Sequence, residues 1–194
     1  MKEHFRELTK GMWTVPNAFT FSRILLVPVF AVLYLKGEPY WALAVFALAS
    51  VTDCFDGLLA RKLNQISSLG KLLDPLADKI LVLTAIACHA VLGVFPWPAL
   101  IIMAAKELLM IAGGTVMLGK GNVVSANYFG KTATVFLMAA VIAGFFAGPL
   151  NGCGFPAHLW LLWIAVGLSL LAFGVYAYDA FKSLTGKRGD TAAD

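Results

Sequence analysis

The stretch from Tyr40 to Gly93 reads YWALAVFALASVTDCFDGLLARKLNQISSLGKLLDPLADKILVLTAIACHAVLG. Two apolar runs enclose a polar middle that carries Asp53, Asp56, Asp74 and Asp78. A bilayer-spanning helix needs about 20 apolar residues, and each half of this stretch is near that length. A lone ionised carboxylate in hydrocarbon costs roughly 2.5 kcal/mol or more. Four would also repel one another, so something positive must hold them.

Outward from this stretch the apolar pattern continues in both directions. Spans are predicted at 15–36, 40–63, 69–93, 97–119, 127–148 and 156–183, with Pro and Gly marking the joins. Of the 194 residues, 60% are hydrophobic and 13% charged, and mean hydropathy is +0.81. Soluble domains carry about 25% charged residues. The composition therefore excludes a soluble globular protein, a disordered chain and a disulfide scaffold. The expected fold is an all-α membrane protein with six transmembrane helices, preceded by a short interfacial amphipathic helix. In Met1–Trp13, Phe5, Leu8, Met12 and Trp13 fall on one helical face and Lys2, Arg6 and Lys10 on the other. Residues 1–14 form this helix, 15–185 the membrane domain and 186–194 a polar tail. The apolar run from Val15 to Leu35 is too long for a signal peptide and lacks a cleavage site, so it reads as a retained first span.

The net charge is +4, and its placement says more than its sum. Lys2, Arg6, Lys10, Arg61, Lys62, Lys71, Lys120, Lys131, Lys182, Lys187 and Arg188 fall on one side of this topology, against Lys36 and Glu38 on the other. The positive-inside rule puts the basic side, both termini and the acidic cluster at the cytoplasmic face of a cell (inner or plasma) membrane. The same basic fringe suits anionic headgroups, and no motif points to nucleic acid. Cys54, Cys88 and Cys153 are odd in number and unpatterned, so they read as packing residues.

The spacing of the acids suggests what holds them. Asp53, Asp56, Gly57, Ala60 and Arg61 follow i, i+3, i+4, i+7 and i+8, one face of a helix, while Gly70, Asp74 and Asp78 share a face of the next. A short connection makes the two helices antiparallel neighbours. Carboxylates converging without His or Cys make a hard-oxygen site, suited to Mg²⁺ or Mn²⁺. Four can bridge two divalent ions, an arrangement used in phosphate displacement. Gly57 and Ala60 leave room for a ligand to approach the backbone. Arg61 can grip a phosphate. Pro75 is best tolerated in a first turn, placing the helix start near Ser67 or Ser68. A proton relay in a small ion-coupled transporter is the alternative of another class. It would place acids near mid-bilayer and need no small residues around them.

The eight fixed positions Asp53, Asp56, Gly57, Ala60, Arg61, Gly70, Asp74 and Asp78, spread over 26 residues, reproduce the motif of the CDP-alcohol phosphotransferase family. The resemblance covers nearly the whole chain. Pro16-Asn17 to Arg23 is similar to the family's first span, and Leu73–Lys79 and Gly130-Lys131 with Thr134 resemble the branch that makes phosphatidylglycerophosphate. It implies a six-helix, homodimeric membrane enzyme that transfers a phosphatidyl group from CDP-diacylglycerol to an alcohol, releasing CMP. By resemblance, Asp53, Asp56 and Asp74 ligate one metal and Asp53, Asp74 and Asp78 the other. Asp78 is the general base, and Asn17, Gly57, Ala60, Arg61 and Ser67 contact the CDP portion.

The acceptor is read more loosely. Arg23, Lys79, Lys106 and Lys131 are the candidates for binding an acceptor's own phosphate, which fits glycerol 3-phosphate. Two departures leave room for phosphatidylglycerol (giving cardiolipin) or an inositol phosphate. Lys106-Glu107 stands where many relatives carry Arg-Glu, and Gly130–Thr134 lacks a second lysine. Lysine holds phosphate as a point charge without the arginine fork. Glu107 beside Lys106 reads as a buried packing pair that could also orient the lysine. His89 and His158 read as packing residues, and Gly113, Gly114 and Gly144 as points of close helix contact.

Overall fold

The structure, a computed structural model, describes residues 15–63, 68–119, 128–148 and 156–186, with side chains for 21–52, 77–115, 117, 128–148 and 156–182. The expected interfacial helix at 1–14 and the tail beyond Gly186 lie outside the described residues. Six helices are described: α1 (Val15–Leu35), α2 (Pro39–Leu63), α3 (Ser68–Val91), α4 (Trp97–Gly119), α5 (Tyr128–Phe145) and α6 (Ala157–Gly186). They start and stop within a few residues of the expected spans. Among the described residues, the windows Trp97–Thr115, Tyr128–Phe145 and Ala157–Lys182 are long and apolar enough to cross a membrane, and Phe21–Leu35 and Pro39–Thr52 are shorter apolar segments. The chain is an integral membrane protein of all-helical build.

Two helix ends show why the joins fall where they do. At the end of α1 the Gly37 N–H donates to the Tyr34 carbonyl and the Glu38 N–H to that of Leu33, both at 3.1 Å. At the end of α3 the Gly93 N–H reaches Ala90 and the Val94 N–H reaches His89. Both glycines have positive φ, +85° and +73°. This is the Schellman arrangement, in which a left-handed residue lets the chain fold back on the last carbonyls. Pro39 then occupies the first position of α2, where its missing N–H costs nothing.

The chain divides into two units, Met1–Cys88 and His89–Asp194. In the first, α1 packs on α2. The buried stripe of α1 is Arg23, Val27, Phe30 and Tyr34, and that of α2 is Ala42, Phe46 and Ala49. Phe30 lies 5.7 Å from Phe46 between ring centroids, an aromatic contact between the two stripes.

In the second unit α6 packs extensively on α5 and also on α4. Its buried stripe runs His158, Leu162, Ala165, Val166, Ser169 and Ala172. The facing side of α5 is Ala133, Leu137, Ala140, Val141 and Gly144. Alanine and glycine at these positions let the backbones approach, which is how helices gain contact where lipid removes the hydrophobic drive. Gly144 is the tightest place: a Cβ there would overlap the His89 ring. That ring stacks on Phe95 at 4.6 Å and meets the edge of Phe145 at 5.0 Å, while His158 stacks on the same Phe95 at 6.3 Å. Both histidines are buried packing residues. Gly113 and Gly114 are looser, since a Cβ on either would meet Tyr176 only at ordinary contact distance.

Five hydroxyls in these apolar helices bond to their own helix. Ser50, Thr52, Thr115, Thr132 and Thr134 donate to carbonyls three or four residues back. That keeps each hydroxyl satisfied without water. The outer faces carry exposed Leu25, Ile101, Leu108, Val135 and Leu171, a cost in water that acyl chains remove.

Candidate active site

The acidic positions belong to the first unit. Asp53, Asp56, Gly57, Ala60 and Arg61 lie in α2, and Gly70, Asp74 and Asp78 in α3. Asp53 is ten residues before Leu63, and Asp78 is ten after Ser68. Asp56 is seven before Leu63, and Asp74 is six after Ser68. At 1.5 Å per residue the outer two lie about 15 Å, and the inner two about 10 Å, along their helices from the 64–67 connection. The acids are thus spaced alike from that connection on consecutive helices. Of the four, Asp78 is among the described side chains, and it is half-buried, as is its neighbour Lys79. The side chains of Asn17, Asp53, Asp56, Gly57, Ala60, Arg61 and Asp74, and the whole of Ser67, lie outside the described residues. No group of three or more His, Cys, Asp or Glu side chains converges among the described residues.

A divalent ion fits the chemistry of this donor set. The positions offer carboxylates and neither imidazole nor thiolate, and Mg²⁺ and Mn²⁺ favour oxygen donors.

Arg23 is fully buried on the α1 stripe, one turn beyond the Asn17–Thr20 segment.

Lys79 belongs to the first unit, and the remaining two acceptor candidates, Lys106 and Lys131, lie in the second. Lys131 is exposed in the first turn of α5. With Thr134, Val135, Met138, Ala139 and Ile142 it lines an open groove of about 580 Å³ along that helix, almost wholly apolar in its lining. Lys106 stands near the middle of α4 and is nine-tenths buried. Its Nζ donates to Glu107 Oε1 at 2.6 Å and to Ser169 Oγ of α6 at 2.8 Å. The pairing of Lys106 with Glu107 follows the sequence reading, whereas the part taken by Ser169 does not. Its only sequence signal is a lone hydroxyl in an apolar run, and that signal names no partner.

Helices of bilayer length, two of them carrying aspartates toward one end, define a membrane protein with acidic positions inside its helices. The chain belongs to the CDP-alcohol phosphatidyltransferase family, which it matches over residues 13–171. It is 33% identical over 189 residues to the CDP-diacylglycerol–glycerol-3-phosphate 3-phosphatidyltransferase of Bacillus subtilis, covering 89% of this chain and 98% of that protein. It is 30% identical over 185 residues to the protein of that name from Shigella flexneri, covering 92% and 97%. It is also 38% identical over 142 residues to a Streptomyces coelicolor cardiolipin synthase (CMP-forming), covering 70% and 66%.

Proposed function

We propose that this membrane enzyme transfers the phosphatidyl group of CDP-diacylglycerol to glycerol 3-phosphate, giving phosphatidylglycerophosphate and CMP. One observation carries the reading: the likeness to the two glycerol-3-phosphate phosphatidyltransferases runs almost end to end in both partners of each comparison. All four aspartates are present within it. The like spacing of those aspartates from the connection between α2 and α3 supports a site with two divalent ions, Mg²⁺ or Mn²⁺, held by Asp53, Asp56, Asp74 and Asp78. Bound there, the ions would neutralise the diphosphate charge of the donor.

The chain's own residues would then do the following. Asn17, Gly57, Ala60, Arg61 and Ser67 seat the CDP portion. Arg23, Lys79, Lys106 and Lys131 offer positive charge to the acceptor's phosphate. Asp78 takes the proton of the acceptor hydroxyl as its oxygen bonds to the lipid-bearing phosphorus. The bond from that phosphorus to the bridging oxygen breaks, and the electron pair leaves with CMP. The basic fringe supports six spans with both termini and the site at the cytoplasmic face, and an amphipathic helix before them. The family resemblance supports a homodimer.

The cardiolipin synthase relative favours a second acceptor, phosphatidylglycerol, with the same bond-making step. Purified protein given CDP-diacylglycerol and either acceptor separates the two by the phospholipid formed. The expected result is phosphatidylglycerophosphate, with CMP released only when Mg²⁺ or Mn²⁺ is present and lost on chelation. Asp78→Asn should abolish turnover while leaving CDP-diacylglycerol binding in place. CMP release in chelator, or an active Asp78→Asn protein, would overturn the metal or the base assignment respectively.

A further inference from the structure

Lys106 has a partner on another helix, and the bonding there is incomplete. An ammonium carries three donors. Glu107 and Ser169 take two of them, and no described residue takes the third. Ser169 is itself buried at 3% exposure and accepts from Lys106. Its own O–H has no acceptor among the described residues. That sets it apart from Ser50 and the four threonines, whose hydroxyls all return to their own helix. Among the described residues, one hydrogen of the ammonium and the Ser169 O–H thus lie side by side without acceptors, and buried donors are ordinarily satisfied.

We infer that Lys106 and Ser169 together form the seat for a phosphate monoester. Ser169 holds the ammonium in place through its oxygen and gives its own O–H to the anion. The inference rests on reading Lys106 as a ligand of the acceptor's phosphate. Glu107 fits the same account. An unpaired ammonium in the middle of α4 would be expensive in a bilayer, and a neighbouring carboxylate neutralises it while the seat is empty. The carboxylate occupies one donor only, so an anion can approach the remaining one. A monoester carries about −1.5 to −2 charge near neutral pH, more than the single charge of a phosphodiester. The seat therefore prefers glycerol 3-phosphate to phosphatidylglycerol.

Steady-state kinetics on the full chain in detergent or liposomes test this, using glycerol 3-phosphate, Ser169→Ala, Ser169→Thr and Lys106→Met. Loss of the hydroxyl should raise the KM for glycerol 3-phosphate about tenfold, with a smaller effect on kcat and the KM for CDP-diacylglycerol within about twofold. Ser169→Thr, which keeps a hydroxyl, should recover most of that loss. Adding Ser169→Ala to Lys106→Met should cost little more than Lys106→Met alone, because the two act as a unit. If Lys106→Met raises the acceptor KM and Ser169→Ala does not, the seat is overturned while Lys106 remains an acceptor ligand. If neither variant moves that KM, the reading of Lys106 falls and the seat falls with it. A Ser169→Ala protein that loses kcat and both KM values together marks Ser169 as a packing contact and overturns the inference.

Discussion

Gly144 shows how one missing side chain sets a contact. The His89 ring occupies the space where a Cβ would stand, with Phe95 and Phe145 against its other faces. The ring is held by neighbours and has little freedom to retreat. Gly144→Ala should therefore destabilise the protein by about 1–3 kcal/mol, the usual range for overpacking. Gly167 lies in the exposed part of α6 with nothing near its Cβ position, so Gly167→Ala should be neutral or slightly stabilising, since alanine favours the helix. Thermal unfolding in detergent measures both. Adding His89→Ala to Gly144→Ala should recover part of the loss, and the absence of recovery would show that the ring is not the obstacle. At this scale the legibility of the chain is uneven. The aspartates are conspicuous because ionised side chains are rare in hydrocarbon. Ser169 is not, because a serine in a span ordinarily bonds its own helix, as Ser50 does with Phe46. Its partner is 63 residues away in the chain, a distance at which spacing carries no information.

Helix ends are legible and helix faces are less so. Gly37 and Gly93 announce the ends of α1 and α3 because a left-handed residue closes each one. Neither has any atom near its Cβ position, so a substitution there meets strained backbone and no clash. Gly93→Ala should cost about 1 kcal/mol, and Gly93→Asn less, because asparagine tolerates the left-handed region. Equal losses for the two variants in thermal unfolding would show that the backbone conformation is not the cause. The faces are hidden for a different reason. A span is apolar all round, so the side that meets protein and the side that meets lipid look alike in composition. Only small and polar residues mark the difference. Ala133, Ala140 and Gly144 trace the buried side of α5, and His158 and Ser169 that of α6. Leu137 and Val135, buried and exposed respectively, could not have been told apart by residue type.

For the molecule as a whole, the distribution of charge becomes a statement about orientation. The proposed six spans would return the chain to the side on which it began, so residues near both termini would share a compartment, with the Lys36–Glu38 turn in the other. On the proposed orientation the basic excess lies with the termini in the cytoplasm, the compartment in which a charged nucleotide-lipid headgroup and a charged acceptor would meet the enzyme. Cysteine labelling tests count and direction together. With Cys54, Cys88 and Cys153 replaced by alanine, Glu38→Cys should react with a membrane-impermeant maleimide added to intact cells. This glutamate is exposed at the turn between α1 and α2, so its replacement is open to the reagent. Lys2→Cys and Lys187→Cys should react only after the membrane is opened. Labelling of one terminus but not the other in intact cells would require an odd number of spans. Labelling of both termini with protection of Glu38→Cys would keep the six spans and invert the site, placing the paired aspartates on the face opposite to the basic fringe's expected compartment.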